Sequence, residues 1–103
     1  MAKLVRDKIP EIIKQNGRLP VTHIAAGQEY KQALLQKLNE EAQEVGSAQT
    51  KDDVIEEIAD VLEVLATIMT LEKINPVDVT TKQKEKRAER GGFTGRVILD
   101  ETK

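Results

Sequence analysis

The chain has 103 residues and no cysteine, and its 16 Lys and Arg side chains against 18 Asp and Glu give a formal net charge of -2. This length predicts a single domain over residues 1–103, and the balanced charge gives no electrostatic reason to expect nucleic acid or an anionic membrane as a partner. The lack of cysteine excludes disulfides, thiolate catalysis and thiolate metal sites, and it fits a cytoplasmic location. No apolar run approaches the roughly 20 residues of a membrane span.

The first quarter of the chain predicts only short elements. Residues 4–15 start extended or as a loose turn and become a short helix from about Pro10, which Asn16-Gly17 ends. The stretch LPVTHIAA, rich in β-branched residues, predicts an extended segment that ends at Gly27. His23 lies in this stretch without a second histidine anywhere in the chain, so we interpret it as structural or incidental rather than as a metal ligand.

Two long amphipathic helices follow. The first is predicted from Gln28 to about Ala48, and the second from about Asp52 to Lys73 with Thr50 or Asp52 as its cap. The apolar positions of the first helix recur at spacings of three and four: Leu34, Leu35, Leu38, Ala42 and Val45. The short connection between the two helices predicts an antiparallel hairpin.

The last third of the chain predicts a third, polar helix from Asn75-Pro76 to about Arg90, ended by Gly91-Gly92. The final apolar stretch GRVILDE predicts a short terminal strand. Apart from that strand, the elements define an all-α fold, a helical bundle around the antiparallel hairpin. The second long helix is apolar around most of its circumference, which one neighbouring helix cannot cover, and we therefore expect a homo-oligomer, most simply a two-fold dimer.

Two pairs of acids lie on the long helices beside the apolar stripes. Glu41 and Glu44 are three residues apart on the first helix, and Glu57 and Asp60 are three apart on the second, so a hairpin brings the pairs face to face. Carboxylates about 4 Å apart repel by about 4 kcal/mol per pair at an effective dielectric constant of about 20, so a cation is needed between them. Oxygen ligands favour Mg²⁺, with Mn²⁺ as an alternative.

A single acid pair at this spacing is usually a solvated feature that pairs with lysine. Two such pairs on consecutive helices, both beside apolar stripes, favour a metal site instead.

Basic residues are densest near the end of the third helix, in KQKEKRAERGGFTGR. This run could hold phosphates that a metal leaves uncovered, or it could be a solvated helix before a glycine stop. Lys3 and Arg6 offer the same chemistry near the start of the chain, although Arg6 could instead form a structural ion pair with Asp7. Phe93 could stack on a base or fill the core.

The acids match a known pattern, because Glu40, Glu41, Glu44, Glu57 and Asp60 spell E-E-x-x-E followed by E-x-x-D. This pattern resembles that of the MazG-type all-α nucleoside triphosphate pyrophosphohydrolase superfamily. The segments KLVRDKIPEII and ERGGF resemble more specifically its small, single-domain house-cleaning branch, which is related to phosphoribosyl-ATP pyrophosphatases. The resemblance extends from Lys3 to about Leu99, nearly the whole chain.

The resemblance implies Mg²⁺-dependent hydrolysis of a nucleotide between its α and β phosphates, which yields a monophosphate and pyrophosphate, and assembly as a homodimer or homotetramer. It assigns metal binding to Glu41, Glu44, Glu57 and Asp60. Glu40 and Glu41 become the catalytic candidates, with Glu40 either a ligand or the group that orients the attacking water. The candidates for substrate binding are Lys3, Arg6, Lys84, Arg87, Arg90, Gly91, Gly92 and Phe93.

Two other functions remain open at this point. One is phosphoribosyl-ATP pyrophosphatase activity in histidine biosynthesis, which would use the same metal site. The other is a non-catalytic helical interaction module. The acid pattern argues against it, because every position of the pattern is filled by an acid, whereas a site that had lost catalysis would be expected to lose some.

Overall fold

A computed structural model describes residues 2–103, which form four helices and, within that range, no strand. The all-α class is therefore confirmed. None of the helices in the described range is long and apolar enough to span a membrane. The helices, in chain order, are α1 (Ile9–Gln15), α2 (Gln28–Ser47), α3 (Lys51–Leu71) and α4 (Pro76–Arg90).

The residues fall into two compact units. The first extends to Ile68, and the second is Met69–Lys103. The first unit contains α1, α2 and most of α3, and the second contains α4 and the C-terminal residues. The single domain over residues 1–103 stays a prediction.

Local side-chain chemistry sets the ends of the helices where the sequence predicts them. The Oγ1 atom of Thr50 accepts a hydrogen bond from the backbone N–H of Asp53 (3.1 Å), which caps α3. The Oδ1 atom of Asn75 accepts one from the N–H of Val77 (3.0 Å) at the start of α4. Gly91 ends α4 with a φ of 84°, a value that glycine adopts without steric strain.

The core of the first unit is small. Leu34 on α2 and Val64 on α3 are the buried apolar side chains among the described residues. Beside them lies a cleft of about 450 Å³, whose wall includes Leu4, Ile9 and Tyr30. A chain with one Tyr and one Phe has little aromatic bulk for a larger core. Residues of the N-terminal segment, α1, α2 and α3 line the cleft.

The predicted C-terminal strand is wrong. Residues 96–103 have no regular secondary structure, and Val97, Ile98 and Leu99 are exposed. A strand needs a neighbouring strand for its backbone hydrogen bonds, and residues 2–103 provide none. The stretch LPVTHIAA forms no strand for the same reason.

Candidate metal centre and active site

Three of the predicted acids come together between α2 and α3. Glu41, Glu44 and Glu57 each offer one carboxylate oxygen, and these oxygens all lie within 4.8 Å of one another. The spacing of three residues places Glu41 and Glu44 on one side of α2, and Glu57 reaches them from α3. Glu41 is only 7% exposed, Glu57 is half-buried and Glu44 is exposed.

Two oxygens of this cluster lack a partner. The Oε2 atoms of Glu41 and Glu57 are buried and accept no hydrogen bond from the residues that the structure describes. Lys37 supplies partial compensation, since its Nζ lies 3.5 Å from Oε1 of Glu41 and 3.3 Å from Oε2 of Glu40. Buried carboxylate oxygens without donors are costly, and a hard divalent cation is the partner that such a donor set prefers. The residues therefore fit Mg²⁺ or Mn²⁺.

Crowding in the cluster changes its acid–base behaviour. Burial, and next the negative charge of Glu44, raise the pKa of Glu41, while Lys37 opposes the rise. Hydrogen bonding with the carboxyl group of Glu44 is the main cause that raises the pKa of Glu57 to about 7, followed by burial and by repulsion from nearby acids. The cluster thus holds protons at a pH where isolated carboxyl groups have lost them.

The raised pKa of Glu57 predicts that the metal-free protein loses stability as pH rises from about 4.5 to 7. In this window the folded chain keeps a proton on Glu57 that the unfolded chain, with its ordinary pKa of 4.5, has released. The free energy of unfolding therefore falls with rising pH. Urea unfolding at several pH values checks this. Glu57→Gln should flatten the dependence and Glu56→Gln, at an exposed position, should not; equal slopes for both variants would contradict the assignment.

Asp60, the fourth predicted ligand, has a different partner. Its Oδ1 accepts a hydrogen bond from Nη2 of Arg6 at 2.6 Å, and it is not one of the three clustered acids. The hydrogen bond to Asp60 is the main cause that raises the pKa of Arg6. Arg6 therefore pairs with Asp60, and the alternative pairing with Asp7 is not observed among the ion pairs of residues 2–103.

The remaining candidates are not members of the clustered set, and their roles stay predictions. Glu40 is half-buried and paired with Lys37, and Lys3 is exposed. His23 forms an exposed pair with Glu29 at 2.7 Å. The substrate-binding candidates of the second unit are all exposed, and their roles stay predictions: Lys84, Arg87, Arg90, Gly91, Gly92 and Phe93. Phe93 is 98% exposed, so it does not fill the core.

Sequence reasoning missed one residue and one pairing in this region. Lys37 stands three and four positions before Glu40 and Glu41, the spacing of helical ion pairs, and this signal could have identified it. The pairing of Arg6 with Asp60 spans 54 positions and leaves no such periodic signal.

Comparison with known proteins assigns the chain to a family. Residues 8–87 match the family described as phosphoribosyl-ATP pyrophosphohydrolase. The chain belongs to this family, which is part of the MazG-like all-α nucleoside triphosphate pyrophosphohydrolase superfamily. Its members are pyrophosphohydrolases and typically depend on divalent metal ions.

A protein of Mycolicibacterium smegmatis (strain ATCC 700084 / mc(2)155), described as an uncharacterized protein, is 48% identical over 56 residues. The match covers 54% of this chain and 57% of the relative, so the chain spans little more than half of that protein's length. No solved structure matches the chain.

Proposed function

We propose that this chain is a Mg²⁺-dependent pyrophosphohydrolase that converts nucleoside triphosphates, non-canonical ones among them, to monophosphates and pyrophosphate, with Mn²⁺ as an alternative metal. The observation that carries the proposal is the cluster of Glu41, Glu44 and Glu57, in which two buried oxygens have no donor among the described residues. Membership of a pyrophosphohydrolase family supports the reaction type.

The acids have two different roles in this proposal, metal binding and activation of the attacking water. Glu41, Glu44 and Glu57 hold the cation, and Asp60, one helical turn after Glu57, completes the set. When bound, a Mg²⁺ ion polarises phosphate oxygens and lowers the pKa of the attacking water. Glu40, with Lys37 beside it, orients that water and accepts its proton.

Basic residues and glycines serve the substrate. Arginine and lysine side chains neutralise phosphate oxygens, and backbone N–H groups at glycines approach an anion closely. We propose phosphate binding by Lys3, Arg6, Lys84, Arg87, Arg90, Gly91 and Gly92, and we propose that Phe93 stacks on the base.

We also propose that α2 and α3 form an antiparallel hairpin, with the three residues 48–50 as the connection. Two clefts support this order. Glu44 and Ser47, late in α2, share a cleft with Asp53 and Glu57, early in α3. Earlier α2 residues such as Lys37 share the other cleft with later α3 residues, among them Thr67.

A homodimer or homotetramer is the assembly we propose, because α3 leaves Ile55, Ile58 and Leu62 exposed at spacings of three and four. Leu62→Glu should shift the protein towards the monomer in size-exclusion chromatography with light scattering, since a charge in an apolar interface is poorly solvated. Lys51→Glu, at an exposed polar position of the same helix, should leave the assembly unchanged. A wild-type monomer at micromolar concentration would rule the interface out.

The reaction itself predicts the products. With Mg²⁺ and a panel of canonical and modified nucleoside triphosphates, we expect equal amounts of monophosphate and pyrophosphate, measured by chromatography and a pyrophosphate assay. A matched sample with excess EDTA should show no turnover. Orthophosphate as the first product would exclude the proposed reaction.

The same panel tests the two alternative functions and therefore includes phosphoribosyl-ATP. A clear preference for phosphoribosyl-ATP would establish the alternative activity, whereas no turnover of any nucleotide would favour a non-catalytic role.

A further inference from the structure

The fold does not require the ion pair between Arg6 and Asp60 for its stability. The side chains are 56% and 37% exposed, and ion pairs with this exposure contribute little to stability. Arg6 lies in a segment without regular structure, and a backbone hydrogen bond from the N–H of Ile9 to its carbonyl oxygen (3.0 Å) ties it to the start of α1. Its side chain can therefore change partner without unfolding a helix.

Asp60 is the carboxylate for which two cations would compete. It stands three residues after Glu57 on α3, and its charge acts on both Glu41 and Glu57. The charges of Glu41 and Glu63 act on Arg6 as well. A divalent cation held by the three clustered acids would repel the Arg6 guanidinium and attract Asp60, so it weakens the pair from both sides.

A nucleotide offers Arg6 a replacement partner. The planar guanidinium matches the oxygens of a phosphate group and forms two parallel hydrogen bonds with them. Arg6, Glu41 and Asp60 all line the 450 Å³ cleft, a size typical of small-molecule sites. A triphosphate that enters this cleft with its cation would therefore bring phosphate oxygens close to Arg6.

We propose that Arg6 is an exchangeable counter-ion: it holds Asp60 while no nucleotide is bound, and it moves to a phosphate oxygen when the cation and nucleotide bind together. This inference rests on the proposed metal site and substrate. The exchange makes free cation a poor ligand and the cation–nucleotide complex a good one. Cation and nucleotide then strengthen each other's binding by the same factor, as linkage requires.

Calorimetric titrations of the intact chain test this exchange. One titration uses Mn²⁺ alone, and the other uses the Mn²⁺ complex of α,β-methylene-ATP, in which the α–β bridge cannot be hydrolysed. In Arg6→Ala, Mn²⁺ alone should bind about two- to fivefold more tightly, because it no longer competes with an exposed ion pair. The Mn²⁺–nucleotide complex should bind about tenfold more weakly, because a charge-assisted phosphate contact is lost.

Two further variants separate exchange from general charge effects. Arg18→Ala removes the same charge from the loop after α1, where Arg18 forms no ion pair with any described residue, and it should change neither affinity appreciably. Arg6→Lys keeps the charge but not the planar fork, so binding of Mn²⁺ alone should stay near the wild-type value while the complex binds more weakly. Circular dichroism confirms that each variant is folded.

The outcomes distinguish this inference from the proposed function. If the wild type binds both ligands and Arg6→Ala behaves like Arg18→Ala, the exchange is wrong and the metal site stands. If Arg6→Ala weakens both affinities, Arg6 only organises the site, and the exchange is again wrong. If the wild type binds neither Mn²⁺ nor the complex, the proposed function itself fails. Opposite changes in the two titrations establish the exchange.

Discussion

Glu41→Gln should lower the rate of pyrophosphate release by about a hundredfold or more. Glu41 is the buried member of the acidic cluster, and its replacement removes the charge that the cation needs at the centre of the site while it preserves side-chain volume. The buried amide has no charge to desolvate, so we expect the metal-free variant to fold as well as the wild type. Steady-state rates with saturating Mg²⁺ and circular dichroism measure the two effects.

Glu56→Gln is the matched control for this experiment. Glu56 is exposed on α3, one position before a cluster member, and has the same side chain as Glu41. Its replacement should change the rate less than twofold, within the range of ordinary surface substitutions. Near-normal turnover in Glu41→Gln would show that Glu41 is not part of the site. An equal loss of rate in both variants would show that the rate follows net charge alone.

Mg²⁺ or Mn²⁺ should raise the free energy of unfolding by about 2.7 kcal/mol when the free metal reaches about one hundred times its dissociation constant. The gain arises because the folded chain brings the three carboxylates together and the unfolded chain does not. Urea unfolding with and without metal at constant ionic strength measures it.

Glu57→Gln should remove most of this stabilisation, since one of the three clustered oxygens then belongs to a neutral amide. Asp52→Asn is a suitable control, because Asp52 is exposed in the first turn of α3 and is not one of the clustered acids. This control should keep the full gain. Identical unfolding curves of the wild type with and without millimolar metal would remove the basis for a metal centre.

The sequence was sufficient to predict the helices of this fold. Apolar spacing and local caps located them within a few residues, because Thr50, Asn75 and Gly91 act on the backbone next to them. The terminal strand was wrong because a strand depends on a distant partner, which a local pattern such as GRVILDE does not reveal. The hydrophobicity of that stretch was correctly recognised, but its structure was not.

Part of the candidate site was also predictable from the sequence. Helical spacing correctly predicted that Glu41, Glu44 and Glu57 come together, since each position depends on the periodicity of a long helix. The partner of Asp60 was not predictable, because Arg6 reaches it from a segment without regular structure. Likewise, spacing does not show how much of each carboxylate is buried, and burial leaves Oε2 of Glu41 and of Glu57 without a donor in the described range.

The most direct test of the central claim is a crystal structure of the protein grown with Mn²⁺, with diffraction data collected near the manganese absorption edge. The account predicts an anomalous difference peak bounded by carboxylate oxygens of Glu41, Glu44 and Glu57, and the loss of that peak in crystals of Glu41→Gln. An ordered cluster without a peak, or a manganese ion bound only elsewhere on the chain, would contradict it.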